Sequence, residues 1–203
     1  DLQIKRFDEI KRIFHEKDFR PTYFDLANSP GALGHKNARG NMVRLGGVLY
    51  GLTWDVLPKN LDAPKLKPVM NLRSKIGYLK TVPKGESVGY SRTFKTQRET
   101  VIASVPIGYH DGYLRGLANK SKVIINGKFA DAVGRISMDW ITIDVTDVEN
   151  VKIGDEVVLI GESNNLKISA EELAQLADTI SYEITCGIHQ RVPKIYEDSV
   201  VFG

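Results

Sequence analysis

The sequence predicts an α/β region followed by a mostly β region, and three observations support this prediction. Residues 2–16 have helical periodicity and precede two short apolar runs that contain or end in small and polar residues. A stretch rich in proline and lysine, residues 54–68, then interrupts the pattern as a linker. Beyond it, short β-like runs recur at regular spacing, which favours a closed or nearly closed β domain.

The α/β region begins with an amphipathic helix over residues 2–16, and Pro21 marks its end. Thr22–Leu26 is predicted to be a short strand that runs directly into Ala27-Asn28-Ser29. A second buried strand is predicted at Met42–Gly51. A strand that ends in small polar residues before a helix is how an α/β unit presents groups to a ligand.

The ends of these two runs carry groups that suit a phosphate. Ser29 supplies a hydroxyl, and the adjacent Gly46 and Gly47 expose backbone N–H groups. Adjacent glycines are common in βα loops, so this signal is weak by itself.

The β region is predicted to contain a series of strands. They are Pro68–Leu79, Ser87–Phe94, Thr100–Pro106, Lys122–Ile125, Ala130–Met138, Trp140–Val145, Glu156–Ile160 and Gln190–Tyr196. The capping-box pattern Ser169-Ala-Glu-Glu172 predicts the start of a helix. Ser181–Cys186 is predicted to begin another short helix or turn.

A long loop of the β region opens with Gly108-Tyr109-His110-Asp111-Gly112. A tyrosine between glycines, followed by an aspartate, suggests a functional site. The same pattern also fits a hairpin loop whose glycines supply positive φ and whose Tyr109 caps a core. The pattern alone leaves both interpretations open.

Composition narrows the classes of function. The net charge is only +3 over 203 residues and the charges are interspersed, so no basic stripe predicts a nucleic-acid partner. No apolar run approaches the length of a membrane span. Cys186 is alone and the four histidines lack metal-ligand spacing, so we expect no disulfide framework, no metal site and a cytoplasmic location. The chain starts at Asp1 inside a helical pattern, so we expect a piece of a longer protein.

Six stretches, in this order, resemble the pyridoxal-phosphate-dependent alanine racemase family. They are Ala27-Asn28-Ser29, Asn41–Gly51, Val88-Gly89-Tyr90, Val105–Tyr113, Val133–Asp139 and Arg191-Val192-Pro193. The resemblance implies the last βα units of a (β/α)8 TIM-like barrel over residues 1–58, then a mostly β C-terminal domain, β-barrel-like, over residues 59–203. It also implies that the barrel strand with the Schiff-base lysine lies outside this chain, which contains no K-A-N-A-Y-G-H-G-type motif.

The resemblance implies a role for each cofactor-binding motif. Arg44 would face the pyridine nitrogen of pyridoxal 5'-phosphate. A guanidinium is always protonated, so the nitrogen stays unprotonated and the ring is a weaker electron sink, which suits racemisation better than transamination. Ser29, with the backbone at Gly46 and Gly47, would bind the phosphate, and Tyr109 would lie near the substrate and order the phosphate end.

The resemblance likewise implies the substrate and catalytic residues. The Met138 N–H would bind the substrate carboxylate, with Asp139 supporting that turn. Racemisation needs a base on one face of Cα and an acid on the other, and the family uses the lysine on one face and the tyrosine here numbered Tyr90 on the other. That tyrosine comes from the partner's C-terminal domain across a dimer interface. Because a free phenol has a pKa near ~10, nearby cations must help it to take a proton at neutral pH.

These roles predict an amino-acid racemase that interconverts L-alanine and D-alanine and supplies D-alanine for peptidoglycan. The expected assembly is a cytoplasmic homodimer with a small amino acid as ligand and neither nucleic acid nor membrane as partner. The alternatives are a serine or broad-specificity racemase, or a non-catalytic β-barrel module suggested by the turn at Val151–Val157.

Three positions depart from the family pattern. His110 replaces the usual alanine and either tunes Tyr109 or is a solvated loop residue. Gly47 replaces a branched apolar residue, and Gln190 replaces a tyrosine that is often paired with the phosphate. The shorter amide of Gln190 leaves room for substrates larger than alanine, so the sequence predicts that serine is also accepted.

Overall fold

The chain divides between Val69 and Met70 into two units in the computed structural model, which describes residues 2–196. The first unit contains helices α1 (Leu2–Glu16) and α2 (Ser29–Gly34), with 3-10 turns at Lys36–Ala38 and Gly47–Tyr50. Its small apolar cluster is centred on three alanines and is completed by partly buried larger side chains: Ala27, Ala32, Ala38, Ile4, Leu26 and Val43. The predicted helix over residues 2–16 is confirmed.

The two strands predicted for the first unit are wrong. Among the described residues, Thr22–Leu26 and Met42–Gly51 share one parallel bridge, Asp25 with Met42. A parallel ladder needs repeated, evenly spaced hydrogen bonds. The chain leaves the extended conformation at Gly46, and the Leu49 N–H bonds the Gly46 carbonyl to begin a 3-10 turn. The single bridge still aligns the two runs, so that Ser29 and Gly46 come together.

The described part of the second unit, residues 70–196, is built mainly from ten short strands. They are β1 (Leu72–Lys75), β2 (Tyr78–Val82), β3 (Ser87–Val88), β4 (Phe94–Lys95), β5 (Thr100–Val105), β6 (Lys122–Ile125), β7 (Lys128–Ala132), β8 (Ile141–Asp144), β9 (Glu156–Ser163) and β10 (Leu166–Ile168). Helices α3 (Ala170–Ala177) and α4 (Ser181–Cys186) follow them.

Eight of these strands form one antiparallel sheet. Its order is β1-β9-β6-β7-β8-β5-β2, with β10 also paired to β9, and β3 and β4 form a separate hairpin. The consecutive strands β1 and β2 lie at opposite ends of this order, yet only Ile76 and Gly77 join them. The sheet must therefore curl until its ends nearly meet, which confirms the predicted nearly closed β domain.

Four strand predictions needed correction in the second unit. Pro68–Leu79 is divided at Ile76-Gly77 because Ile76 donates its N–H to Asp155 and Gly77 donates to Ser104, so the chain moves from one end of the sheet to the other. Ser87–Phe94 is interrupted by a 3-10 turn at Tyr90–Arg92. Ala130–Met138 leaves the sheet after Ala132. Gln190–Tyr196 is not a strand, since the Val192 N–H turns back to His189 and Pro193 has no N–H to donate.

The predicted helix start at Ser169 is confirmed. The Ser169 hydroxyl accepts the Glu172 N–H at 3.0 Å, which satisfies one of the free donors of the first turn of α3. α3 buries Ala170, Leu173 and Ala174, and the predicted helix at Ser181–Cys186 is also present. Within residues 2–196, no helix combines the length and apolarity needed to cross a membrane.

The core of the second unit lies inside the curled sheet, where β6 buries three consecutive positions and β9 buries four. Tyr113 is 1 % exposed and donates its hydroxyl to Ser121 Oγ at 2.9 Å, while Ser121 donates to the Leu117 carbonyl. Tyr109, at 42 % exposed, does not fill this core. Burial raises the pKa of Tyr113 to about 12 because the phenolate would have to be desolvated.

Candidate active site

Two of the predicted phosphate-binding residues meet in the first unit. The Gly46 N–H donates to Ser29 Oγ at 3.0 Å, which joins the start of α2 to the turn that begins at Gly47. Asn28 accepts the Gly31 N–H and caps α2. The Ser29 hydroxyl therefore still has its own hydrogen to donate, and an anion is the partner that such a donor suits.

Arg44 lies beside them and is oriented from two sides. Its backbone N–H donates to the Ala27 carbonyl at 2.9 Å, and its side-chain Nε pairs with Asp25 Oδ2 at 2.7 Å. In the described part of the chain, the two Nη groups have no partner and the side chain is 61 % exposed. Arg44 therefore presents fixed donors to whatever occupies this face.

Asp25 was not singled out by sequence reasoning, and its environment is unusual. Its Oδ1 is buried and, among residues 2–196, has no hydrogen-bond partner. A buried carboxylate oxygen without a donor carries a desolvation cost. The signal in the sequence was an aspartate at the end of one apolar run and an arginine in the next run, at positions that a parallel pairing places side by side.

The predicted substrate residues Tyr109 and Met138 meet in the second unit. The Tyr109 N–H donates to the Ser137 carbonyl at 3.0 Å, and the His110 N–H donates to the Met138 carbonyl at 3.0 Å. Gly108 makes this approach possible because a Cβ there would overlap the Ser137 and Met138 carbonyl oxygens. Over the described range, the Met138 N–H has no acceptor, so it is available to a carboxylate.

Asp139 is held by Arg191, which also holds Asp111. The guanidinium reaches Asp111 Oδ1 at 2.7 Å and Asp139 Oδ1 at 2.5 Å. Asp111 Oδ2 accepts the Gly108 N–H at 2.8 Å. In the sequence, Arg191 and Asp111 stand out only as parts of family-like motifs, and no role was predicted for either residue. Asp111 and Asp139 are charged residues next to Tyr109 and Met138 in the sequence, and this proximity was the signal that could have identified the ion pairs.

The contact between Arg191 and Asp111 shifts the pKa values of both groups. Burial alone raises the pKa of Asp111, but the Arg191 hydrogen bond and the Gly108 N–H outweigh it, and the pKa is lowered. The pKa of Arg191 is raised, first by the hydrogen bond to Asp111 and then by that to Asp139. Asp111 and Arg191 therefore both stay charged at neutral pH.

Tyr90 stands on a turn of fixed geometry. Gly89 has φ +78°, and a Cβ there would lie 3.0 Å from the Arg135 N atom, so the turn packs directly on the Gly134-Arg135 backbone. The Tyr90 side chain is nevertheless 72 % exposed and lines a shallow pocket of about 370 Å³ with Arg135, Ser137 and others. The backbone is held while the phenol is presented to solvent.

His110, one of the departures from the family pattern, packs against a second histidine, His189. The rings of His110 and His189 lie 4.9 Å apart between centroids, tilted by 34°. Both residues and the neighbouring Gln190 are exposed. Among residues 2–196, no cluster of three or more histidine, cysteine, aspartate or glutamate side chains is arranged to hold a metal ion.

Family comparisons agree with these two units. A model of the alanine racemase N-terminal domain matches residues 1–53, and a model of the alanine racemase C-terminal domain matches residues 69–196. The chain belongs to the alanine racemase family. The C-terminal family domain thus includes the Tyr90, Tyr109 and Met138 turns, and the N-terminal family domain includes Ser29 and Arg44.

Comparisons with individual proteins also show similarity to alanine racemases. The enzyme of Clostridium kluyveri is 43 % identical over 197 residues, covering 95 % of this chain and 50 % of the relative. The Bacillus anthracis structure with bound L-Ala-P has a TM-score of 0.85 at 36 % identity, covering 95 % of this chain and 49 % of that one. The Bartonella henselae structure with covalently bound pyridoxal phosphate has a TM-score of 0.79 at 31 % identity, covering 95 % and 51 %. The chain thus spans about half the length of these alanine racemases.

Proposed function

We propose that the full protein to which this chain belongs is a pyridoxal-phosphate-dependent alanine racemase. The observation that carries this proposal is Tyr90, a largely exposed phenol on a backbone turn that is locked against Gly134 and Arg135. Packing does not explain such a tyrosine, whereas a proton-transfer group must be both accessible and positioned. Family membership supplies the reaction: the named relatives are alanine racemases.

The residues of the first unit suit pyridoxal phosphate. The unpartnered Nη groups of Arg44 are donors for a ring nitrogen, and the Ser29 hydroxyl is a donor for a phosphate. The Bartonella henselae relative is described with covalently bound pyridoxal phosphate. When bound, this cofactor makes the Cα–H of an amino acid acidic enough to be removed.

Each residue of the first unit then has a task. Ser29 and the backbone at Gly47 bind the phosphate, while the Gly46 N–H holds the Ser29 hydroxyl in place. Arg44 faces the pyridine nitrogen without giving it a proton. Asp25 holds Arg44 Nε at 2.7 Å and so fixes the direction of the guanidinium. We assign these tasks to the end of a cofactor-binding barrel over residues 1–58, with the racemase C-terminal domain over residues 59–203.

The residues of the second unit bind and protonate the substrate. The free Met138 N–H donates to the substrate carboxylate, and Asp139 supports that turn through Arg191. Tyr109 lies beside the substrate and orders the phosphate end. Tyr90 moves a proton at Cα on the face opposite the lysine, in the site of the partner subunit of a homodimer.

The proposed enzyme works in the cytoplasm, and its product D-alanine is used for peptidoglycan. The Bacillus anthracis relative is described with L-Ala-P, an alanine analogue by its name, and the other relatives are named alanine racemases. These names favour alanine over serine as substrate and disfavour a non-catalytic module, so neither alternative is retained.

The test is a racemisation assay on the full-length protein. We expect L-alanine to be converted to D-alanine, and the reverse, with activity lost when the cofactor is removed and regained when pyridoxal phosphate is added. Arg44→Ala should lower activity and cofactor affinity, whereas Arg12→Ala, a change on exposed α1, should alter neither. A purified protein that turns over no alanine in either direction would exclude the proposal.

A further inference from the structure

Arg191 joins two separate loops of the second unit through one planar guanidinium. It donates from Nε to Asp111 and from Nη2 to Asp139, at 2.7 and 2.5 Å. Asp111 belongs to the turn that carries Tyr109, and Asp139 directly follows Met138. Because the donors of a guanidinium form a rigid fork, the two carboxylates are held at a fixed separation and angle.

The Asp111 end of this link is anchored deeply. Asp111 is 9 % exposed, and its second oxygen accepts the Gly108 N–H at 2.8 Å. Its backbone carbonyl accepts the His189 N–H at 3.1 Å, so the segment that bears Arg191 returns to the same turn. The segment that bears Arg191 is thus fixed to the Tyr109 turn by both a side-chain and a backbone contact. Arg191 in turn restrains Asp139.

The restrained turn is the one that presents Met138. Between residues 2 and 196, the other hydrogen bonds that join the two loops run from the Tyr109 N–H to the Ser137 carbonyl and from the His110 N–H to the Met138 carbonyl. Three of these four residues are exposed and Ser137 is half-buried, so local opening of these bonds costs little free energy. The Ser137 carbonyl and the Met138 N–H belong to the same peptide group, so the bond from Tyr109 sets the direction of the Met138 N–H, and the bond from His110 sets the next peptide, between Met138 and Asp139. Because Arg191 holds Asp139 against the Tyr109 turn, it keeps both bonds in place.

We propose that Arg191 is a positioning residue for substrate binding: acting through Asp111 and Asp139, it holds the Met138 N–H and Tyr109 in their binding arrangement. This inference rests on the proposed function, in which the Met138 N–H binds the substrate carboxylate. Arg191 acts on the substrate only through these neighbours. The link therefore affects recognition of the carboxylate more than the proton transfer itself.

The test compares Arg191→Lys with wild type in the full-length enzyme. A lysine keeps the charge but has a single ammonium, which cannot engage both carboxylates in the same geometry. We expect KM for alanine to rise about tenfold, with kcat changed by less than about threefold and the affinity for pyridoxal phosphate unchanged. The matched control is Arg73→Lys, which alters a similarly exposed ion pair with Glu156 between the already paired strands β1 and β9. It should leave KM unchanged.

Two further measurements separate positioning from general stability. Asp139→Asn removes the same link, so the double variant with Arg191→Lys should raise KM no more than the larger single effect. Hydrogen exchange should become faster at the amides of Tyr109 and His110, and not at those of the β6 core strand. These changes should occur without a matching fall in Tm.

Each outcome decides the proposal. A raised KM with intact cofactor affinity, and faster exchange at the two amides, supports it. An unchanged KM overturns it. A raised KM that is accompanied by lower cofactor affinity and a lower Tm also overturns it, because Arg191 would then be a structural residue only. If wild type fails to racemise alanine, the proposed function has failed. The exchange data then decide alone, since unchanged protection at Tyr109 and His110 would show that Arg191 does not hold the turns.

Discussion

At the scale of single residues, the exposed phenol of Tyr90 gives the sharpest prediction. Tyr90→Phe removes one hydroxyl from a side chain that is 72 % exposed, so folding and cofactor binding should be nearly unchanged. Racemisation should fall by ~10²–10⁴-fold, the range typical of a general acid–base group. In deuterated water, the variant should incorporate deuterium into D-alanine much faster than it converts D-alanine to L-alanine. Exchange into L-alanine should be suppressed.

Tyr78→Phe is the control for this experiment. Tyr78 is also exposed, at 56 %, but it lies in β2 at an end of the sheet. Its loss should alter neither exchange nor inversion. Equal losses of exchange and inversion for both enantiomers in Tyr90→Phe would remove Tyr90 from the role of second base.

Tyr113 gives a prediction about stability and pH. Burial raises its pKa to about 12 in the folded protein, against about 10 in the unfolded chain. A raised folded pKa means that its contribution is complete below pH 10 and is lost as the pH rises from 10 through 12. The free energy of unfolding should fall over that window by up to about 3 kcal/mol from this group. Tyr113→Phe should abolish that part of the pH dependence.

At neutral pH the same variant should cost only about 1 kcal/mol, because one neutral hydrogen bond is lost and Ser121 keeps its bond to the Leu117 carbonyl. Denaturant unfolding at pH 8 and at pH 11 measures both values. Tyr78→Phe is again the comparison and should follow the wild-type pH curve. If the Tyr113→Phe curve also follows wild type between pH 10 and 12, the phenol is not protected as its burial implies.

At the scale of elements, the contact between the Tyr109 and Met138 turns depends on the missing side chain of Gly108. Gly108→Ala would push a Cβ into the Ser137 and Met138 carbonyl oxygens, so the two turns must separate. We expect a loss of about 1–3 kcal/mol in stability and a raised KM for alanine. Gly116→Ala is the control, because its nearest neighbour would be 3.7 Å away. Equal effects of the two changes on Tm and KM would contradict the close approach.

The elements that the sequence predicted correctly are those set by local chemistry. The helical periodicity of residues 2–16 and the Ser169 cap both give the observed helices. The wrong strands depended on distant partners instead. Nothing local shows that β1 pairs with β9 while β2 pairs with β5, so the break at Ile76-Gly77 was not predictable. In the same way, Met42–Gly51 has a strand-like composition but only a single bridge to Asp25.

In the candidate site, too, the sequence predicted the residues of local motifs but not the contacts between distant parts of the chain. Ser29, Arg44, Tyr90 and Met138 were named because ordered motifs resemble a family, and their roles stay predictions. The contacts that orient them could not be derived from the sequence, since Arg191 and Asp111 are 80 residues apart in the chain and meet only in the folded structure. The pair of Asp25 with Arg44 likewise depends on the register of one bridge.

At the scale of the whole molecule, the proposed sharing of the site between two subunits predicts complementation between inactive variants. Tyr90 is proposed to act in the partner's site, and Arg44 in its own. Full-length Tyr90→Phe and Arg44→Ala variants should each be nearly inactive. After subunit exchange, half of the dimers should be mixed, each with one intact site, so about a quarter of wild-type activity should return. The measurement is the racemisation rate before and after exchange, with exchange verified by two affinity tags.

Recovery should be absent when either variant is exchanged only with itself. If exchange is complete and the mixture stays inactive, Tyr90 serves its own chain's site or the protein is not a dimer. A fully active monomer in sedimentation would also contradict the shared site.

The position of β1 and β2 at opposite ends of the sheet has a consequence for synthesis of the chain. Leu72 pairs with Ile160, so β1 leaves the ribosome long before the strand that covers it. Until β9 has been made, β1 presents an unpaired backbone edge, which can template pairing with other chains. Contacts so distant in sequence also form slowly. Folding of this unit should therefore be completed only after the segment through Ser163 has emerged, and nascent chains that stop before β9 should be the ones that aggregate.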